Sequence, residues 1–343
     1  MSAHHIAIRN TGLVTAVGLS APQSCAAIRA KITNPTETRF TDSAGEWIMA
    51  HQVQLAQPWR GITKLAKMAA MAIDEALQGI PRGTWGTLPL LLCVAETDRP
   101  GRLTGLDDKL FVQVQDELEA RFAPSSTLIA RGRVGVAVAL AQARKLVMQG
   151  GVPLIVVAAT DSLIHGPTLS HYERSDRLLT ARNSNGFVPG EGAGALLVGA
   201  ATGEASELVC RGIGFGQEAA SLDSGEPLRA EGLTQAIKAS LTEAGREMHD
   251  FDYRITDVSG EQYYFKEAAL ALTRILRKRK EEFDIWHPAE CTGETGAASG
   301  VTVIANARAA CSKGYSKGPE VLAHWANDAG QRAALVLQHS VSP

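Results

Sequence analysis

The chain has 343 residues, 45% of them apolar and 20% charged, with a formal net charge of −2. That length allows two domains or two fused halves, each with a real core, and the composition is that of an ordinary soluble globular protein. So little net charge gives no electrostatic case for nucleic acid or an anionic membrane.

No apolar run approaches the roughly 20 residues a membrane helix needs, and the N-terminus MSAHHIAIRN lacks the apolar core of a signal peptide. Five scattered cysteines (Cys25, Cys93, Cys210, Cys291, Cys311) without C-x-x-C spacing argue against a disulfide framework or zinc site. The expectation is a cytoplasmic protein with no cofactor and no metal.

In chain order, 5–9 reads as a strand, followed by a helix over 22–31 with Ser20 as its cap and Pro22 in the first turn. Residues 33–61 read as a long polar excursion. Apolar residues at 65, 68, 69, 72, 73 and 76 place a helix over 64–77. A buried strand follows at 88–95, then a helix at 107–122, a short strand at 126–130, a helix at 134–149 ended by Gly150-Gly151, and a strand at 153–159.

The stretch 177–198, RLLTARNSNGFVPGEGAGALLV, runs from a polar loop through glycine-dense turns into a buried strand. Glycine this dense marks backbone that turns sharply or packs closely.

The pattern then restarts, with strands at 208–215, 253–258, 283–286, 321–325 and 333–338 and helices at 228–244, 261–277 and 295–311. Strands alternating with helices predict an α/β fold with largely parallel, doubly covered sheets. The similar order of elements in 6–198 and 208–338 predicts two related halves, divided as 1–203 and 204–343, without an obvious residue-level repeat.

NGFVPGEGAGALLV resembles the glycine-rich loop and following strand of the β-ketoacyl synthases, condensing enzymes of the thiolase fold. Weaker matches run in order along the chain: NTGLVTAVG, GVAVALAQARKLVMQGGVPLIVVAATDS, TGETGAASGVTVIANA and GQRAALVL. The resemblance implies a five-layered α/β/α/β/α fold of two pseudo-duplicated halves. It also implies a dimer paired through Thr127–Ala130.

The resemblance further supplies the positions of the family's catalytic groups. Carried over by spacing, the nucleophilic cysteine falls on Gly132, the first histidine on Ser259 and the second on Gly293. The lysine falls on Pro288, and the phenylalanine that gates the acyl pocket falls near Ala326. None carries the required chemistry: glycine has no side chain to form a covalent intermediate, and no histidine or lysine remains to manage protons.

A remnant pocket is expected from Arg131, Arg133, Glu261, Cys291 and Glu294, together with Glu290, either as a polar ligand site or as charges filling space. The leading expectation is a catalytically inactive, ketosynthase-like interaction partner. Its setting is either a homodimer or heterodimer with a ketosynthase-like subunit, with acyl carrier protein as a further partner, or an accessory or chaperone role for an unknown client such as a secretion-system effector. The chain is short for the family, which favours the second setting. The alternative is an enzyme acting on acyl thioesters through a rebuilt site, an acyltransferase or 3-oxoacyl synthase type, with Cys291 or Glu261 at work.

Other motifs read as structural. Gly314-Tyr315-Ser316-Lys317-Gly318 has G-x-S-x-G spacing but lies between a helix and a strand. Gly212–Gly216 lacks dinucleotide spacing, and Arg277–Lys280 reads as a solvated helix end. His4, His5 and His287 offer no metal-ligand spacing.

Overall fold

The computed structural model describes residues 5–204 and 206–340, so His4 lies outside the described residues. The first half runs β1 (Ile6–Val14), α1 (Ala21–Arg29), β2 (Thr36–Thr41), β3 (Trp47–Ala50), α2 (Gly61–Ala76), β4 (Leu90–Val94), α3 (Leu110–Glu117), β5 (Thr127–Ala130), α4 (Gly135–Met148), β6 (Leu154–Ser162), α5 (Gly166–Arg174) and β7 (Glu191–Ala200). The second runs β8 (Leu208–Gln217), α6 (Glu231–Ala244), β9 (Tyr253–Thr256), α7 (Gln262–Ile275), β10 (Ile285–Trp286), α8 (Ala289–Thr292), α9 (Ser299–Ser312), β11 (Glu320–Ala326) and β12 (Gln331–His339).

The strand order β10-β9-β11-β12-β8-β1-β7-β6-β4-β5 contains the same arrangement twice. In each half the first strand lies beside the fifth, then come the fourth, the second and the third. The pairing sense repeats as well. β1/β7 and β8/β12 are antiparallel, as are β7/β6 and β12/β11, whereas β6/β4/β5 and β11/β9/β10 are parallel. The two halves meet where Ile6–Ile8 pairs with Leu208–Cys210.

The sheets are therefore mixed rather than largely parallel. A continuous apolar run, as in β7, signals burial on both faces, and an antiparallel strand at the centre of a covered sheet is as apolar as a parallel one.

Burial of apolar side chains separates the layers. Residues of α4 and α9 share one core with β1, β6, β9, β11 and β12, which puts these two helices between the sheets. α2 and α3 cover the outer face of the first half, and α6 and α7 that of the second. α9 is buried almost all round from Ser299 to Ala307, as expected of a central helix made of small residues.

Local differences from the sequence reading are few. Ser20 caps α1 as expected, accepting from Gln23 N at 3.4 Å. The excursion before α2 contains the β2–β3 hairpin, the helix expected over 107–122 is only Leu110–Glu117, and α5 was not anticipated. α5 is polar on most of its surface and buries only Thr168, Leu169 and Tyr172, too weak a stripe to stand out.

Candidate functional site

Five backbone segments converge at the ends of the central elements. A 3₁₀ turn, Gly132–Val134, leads into α4, and another, Gly296–Ala298, leads into α9. The residues after β9, the residues after β11, and the glycine-rich loop before β7 complete the ring. That loop lies along the α8–α9 connection: Gly190 N donates to Glu294 O at 2.9 Å and Glu294 N to Val188 O at 2.8 Å. A Cβ on Gly190 would overlap the Thr292 carbonyl, so the glycine is required by close backbone approach.

The positions carried over from the ketosynthase pattern come together here. Gly132, at φ +52°, faces Glu96, and a Cβ built on it would lie 2.8 Å from Glu96 Cδ and closer still to Oε2. Ser259 Oγ donates to Glu294 Oε2 at 2.8 Å. Gly293 and Pro288 line a void of about 10 Å³ bounded by Thr256, Asp257 and Glu294. Ala326 is buried and donates its N–H to Asp257 Oδ2 at 3.2 Å.

A network of charges occupies the space between them. Arg99 makes two hydrogen bonds to Glu96, at 2.8 and 2.6 Å, and lies 3.2 Å from Asp161. Arg133 reaches Glu294 at 3.1 Å and Asp328 at 2.8 Å, with Tyr264 Oη at 2.7 Å. Arg177 is bidentate to Glu261, at 2.7 and 2.9 Å, and also holds Asp328 at 2.7 Å. Tyr264 donates to Asp328 at 2.6 Å. Such forked guanidinium–carboxylate pairs are the strongest and most directional ion pairs available to a protein.

Three guanidiniums thus face six carboxyls: Glu96, Asp161, Asp257, Glu261, Glu294 and Asp328. Burial works against this surplus of negative charge. Burial raises Asp161, Asp257 and Glu294, with Asp257 pushed up to about 7, while Arg133 and Arg99 only partly offset the cost. Burial alone would also raise Glu96 and Asp328, but Arg99 holds the first below the usual carboxylate range, and Arg133 and Arg177 hold the second well below it.

The cavity left among Glu96, Arg99, Arg133, Tyr172, Arg177 and Asp328 is about 10 Å³. That is about the space one water needs, and far below that of a thioester. None of the side chains bonded in this network is a cysteine, histidine or lysine.

Of the residues expected in a remnant pocket, Arg133, Glu261 and Glu294 belong to the network. Arg131 does not: it is exposed. Cys291 is buried within α8, outside the network, and burial followed by the charge of Glu290 pushes its thiol up to about 11, the wrong direction for a nucleophile. Glu290 instead pairs at the surface with Lys31 at 2.8 Å.

Sequence reasoning missed Glu96, Arg99, Asp161, Tyr264 and Asp328. Their only signal is being charged or polar next to strands otherwise apolar. Ser316 donates to Gly318 O at 2.6 Å in a helix-to-strand turn, which is no nucleophile elbow. Among the described residues no group of histidine, cysteine, aspartate or glutamate is arranged to hold a metal ion, and no helix is long and apolar enough to cross a membrane.

Solved structures share this architecture over nearly the whole chain. The ishigamide ketosynthase/chain length factor matches with TM-score 0.80 at 15% identity, covering 98% of this chain and 99% of that one. The chain has the thiolase-like fold of the ketosynthases. A ketosynthase in complex with its chain length factor from Xenorhabdus doucetiae matches with TM-score 0.76 at 13% identity, covering 98% of each chain. The ketosynthase from module 6 of the bacillaene synthase of Bacillus subtilis 168 matches with TM-score 0.77 at 12% identity, covering 99% of this chain and 72% of that one. No family model matches the sequence, and no curated protein is significantly similar. The match thus spans nearly all of the first two chains but under three quarters of the bacillaene synthase ketosynthase.

Proposed function

We propose that this chain is a catalytically inactive ketosynthase-like protein that acts by pairing with another protein, in the first instance a ketosynthase-like subunit. The observation that carries the reading is the filled centre. Where the fold's chemistry would need an acyl cavity, a nucleophile and two proton-handling groups, this sequence has an ion network and about 10 Å³ of space. Losing all of these together removes the covalent step and the charge stabilisation at once.

Two observations support partnership. β5 is a terminal strand of the ten-stranded sheet, paired only with β4, and an edge strand with free N–H and C=O groups is a ready pairing surface. The solved structures with the same fold include a ketosynthase in complex with a chain length factor. An accessory role beside a client such as a secretion effector is the second setting, and none of the solved structures reported above speaks for it. A cytoplasmic setting suits five unpaired cysteines.

The test combines two measurements on the purified protein. Intact mass after incubation with acyl thioesters of coenzyme A and acyl carrier protein is expected to be unchanged. Co-expression with ketosynthase-like subunits encoded nearby is expected to give a co-eluting pair. Stable acylation refutes the inactive reading, and a monomer with no partner refutes the pairing.

A further inference from the structure

We propose that a second cleft, between α1, β10 and the C-terminal end of α9, binds a small apolar carboxylate. This goes beyond the partnership reading and does not depend on it. The cleft has a volume of about 370 Å³, against about 10 Å³ at the filled centre, and falls in the roughly 300–1,000 Å³ range of small-molecule sites. Pro288 lines both this cleft and the small void beside Gly293, so the two share a wall.

Its walls are apolar. Ile28 comes from α1, Ile285 and Trp286 from β10, and Tyr315 from the turn after α9. Trp286 is fixed from behind by Tyr253, with ring centroids 4.3 Å apart, and so presents a rigid aromatic wall.

The polar groups are few and convergent. Arg29 lies over the Tyr315 ring at 4.3 Å and has no carboxylate partner among the described residues. The other cation at the rim, Lys31, is already neutralised by Glu290 at 2.8 Å. That leaves one uncompensated positive charge at the mouth of an apolar cleft. Deeper in, buried Asn306 is tied back to its own helix, donating Nδ2 to the Thr302 carbonyl at 2.8 Å. One net positive charge at an apolar, partly aromatic cleft selects a monoanion with an apolar body. A phosphate would find a single cation, and a cation would meet Arg29.

Isothermal titration of the full chain with octanoate and 2-naphthoate tests this. Saturable 1:1 binding is expected for both. Octanamide, of equal length but neutral, is expected to bind octanoate's site about tenfold more weakly, and Arg29→Gln to weaken octanoate binding by about the same factor. Ile28→Trp, which fills the cleft, is expected to abolish it while the melting temperature shows the protein folded. The octanamide comparison needs no variant and stands even where Ile28→Trp fails to fold. Absence of binding, equal affinity for octanoate and octanamide, or binding that survives Ile28→Trp in a folded protein each overturns the proposal.

Discussion

Reinstalling a cysteine at position 132 tests the reading of the centre from both its structural and its chemical side. Gly132 has φ +52°, a left-handed conformation that costs a residue with a Cβ about 1–2 kcal/mol. The new Cβ would also lie 2.8 Å from Glu96 Cδ, so the carboxylate must leave its place. Moving it gives up two charge-assisted hydrogen bonds to Arg99, worth roughly 1.5–3 kcal/mol, although Arg99 keeps Asp161 at 3.2 Å. Gly132→Cys is therefore expected to cost about 2.5–5 kcal/mol in urea unfolding. It is also expected to remain unacylated, because the Glu96 carboxylate beside it opposes a thiolate. A Gly132→Cys protein with parental stability, or one that accumulates an acyl adduct by intact mass, would show that the site is not filled as described.

Asp328→Ala removes the carboxylate shared by Arg133, Arg177 and Tyr264, and is expected to destabilise the fold by about 2–4 kcal/mol in urea. Two buried histidines set an acid limb. Burial lowers His51 to about 4 and His324 to about 3, so the native state stays neutral while the unfolded chain takes up protons near pH 6.5. Stability is fully present above about pH 6.5 on their account and is lost as pH falls toward 4, visible as a falling urea midpoint between pH 7 and 5. Asp257 works the other way: raised to about 7, it binds a proton the unfolded chain lacks and costs stability as pH rises from about 4 to 7. Asp257→Asn should therefore steepen the acid limb and stabilise at pH 8 relative to the parent. Cys291 is buried with its thiol raised to about 11, so iodoacetamide at pH 7.5 should leave it unlabelled in the native protein and label it in urea, by peptide mapping. Thr127→Arg places a charge on the β5 edge at a position outside the hydrophobic core and should convert a paired assembly to monomers in size-exclusion chromatography, with the thermal midpoint little changed.

The elements that could be read from the chain are those whose signal is local. α2 shows its buried face at Leu65, Met68, Ala72 and Ile73, and α1 announces itself through Ser20 and Pro22. The repetition of strand and helix in two runs was legible for the same reason, since burial on both faces of a sheet leaves apolar runs whatever the neighbours are. Direction was not legible: β7 reads identically as a parallel or antiparallel strand. α5 was hidden because a helix that buries three side chains carries almost no periodicity.

The central site divides in the same way. That positions 132, 259, 288 and 293 hold glycine, serine, proline and glycine is a property of the sequence alone, and no fold can give those residues a thiol or an imidazole. What replaces the missing chemistry belongs to the tertiary structure. Glu96, Arg99, Arg177, Glu261 and Asp328 are spread over more than two hundred positions and look like solvated charges one at a time. Glu96 and Arg99 are neighbours in sequence, but only the folding of both halves around α4 and α9 brings Arg177 within about 3 Å of Glu261 and Asp328, where low dielectric makes each unpaired charge too costly to leave alone. The second cleft is likewise tertiary, since Ile28, Trp286 and Tyr315 come from three distant segments. The sequence determined that positions 132, 259, 288 and 293 carry no thiol, imidazole or ammonium, because residue identity is local. The fold decided what fills the vacated centre and where an open cleft remains, because packing depends on which distant segments meet.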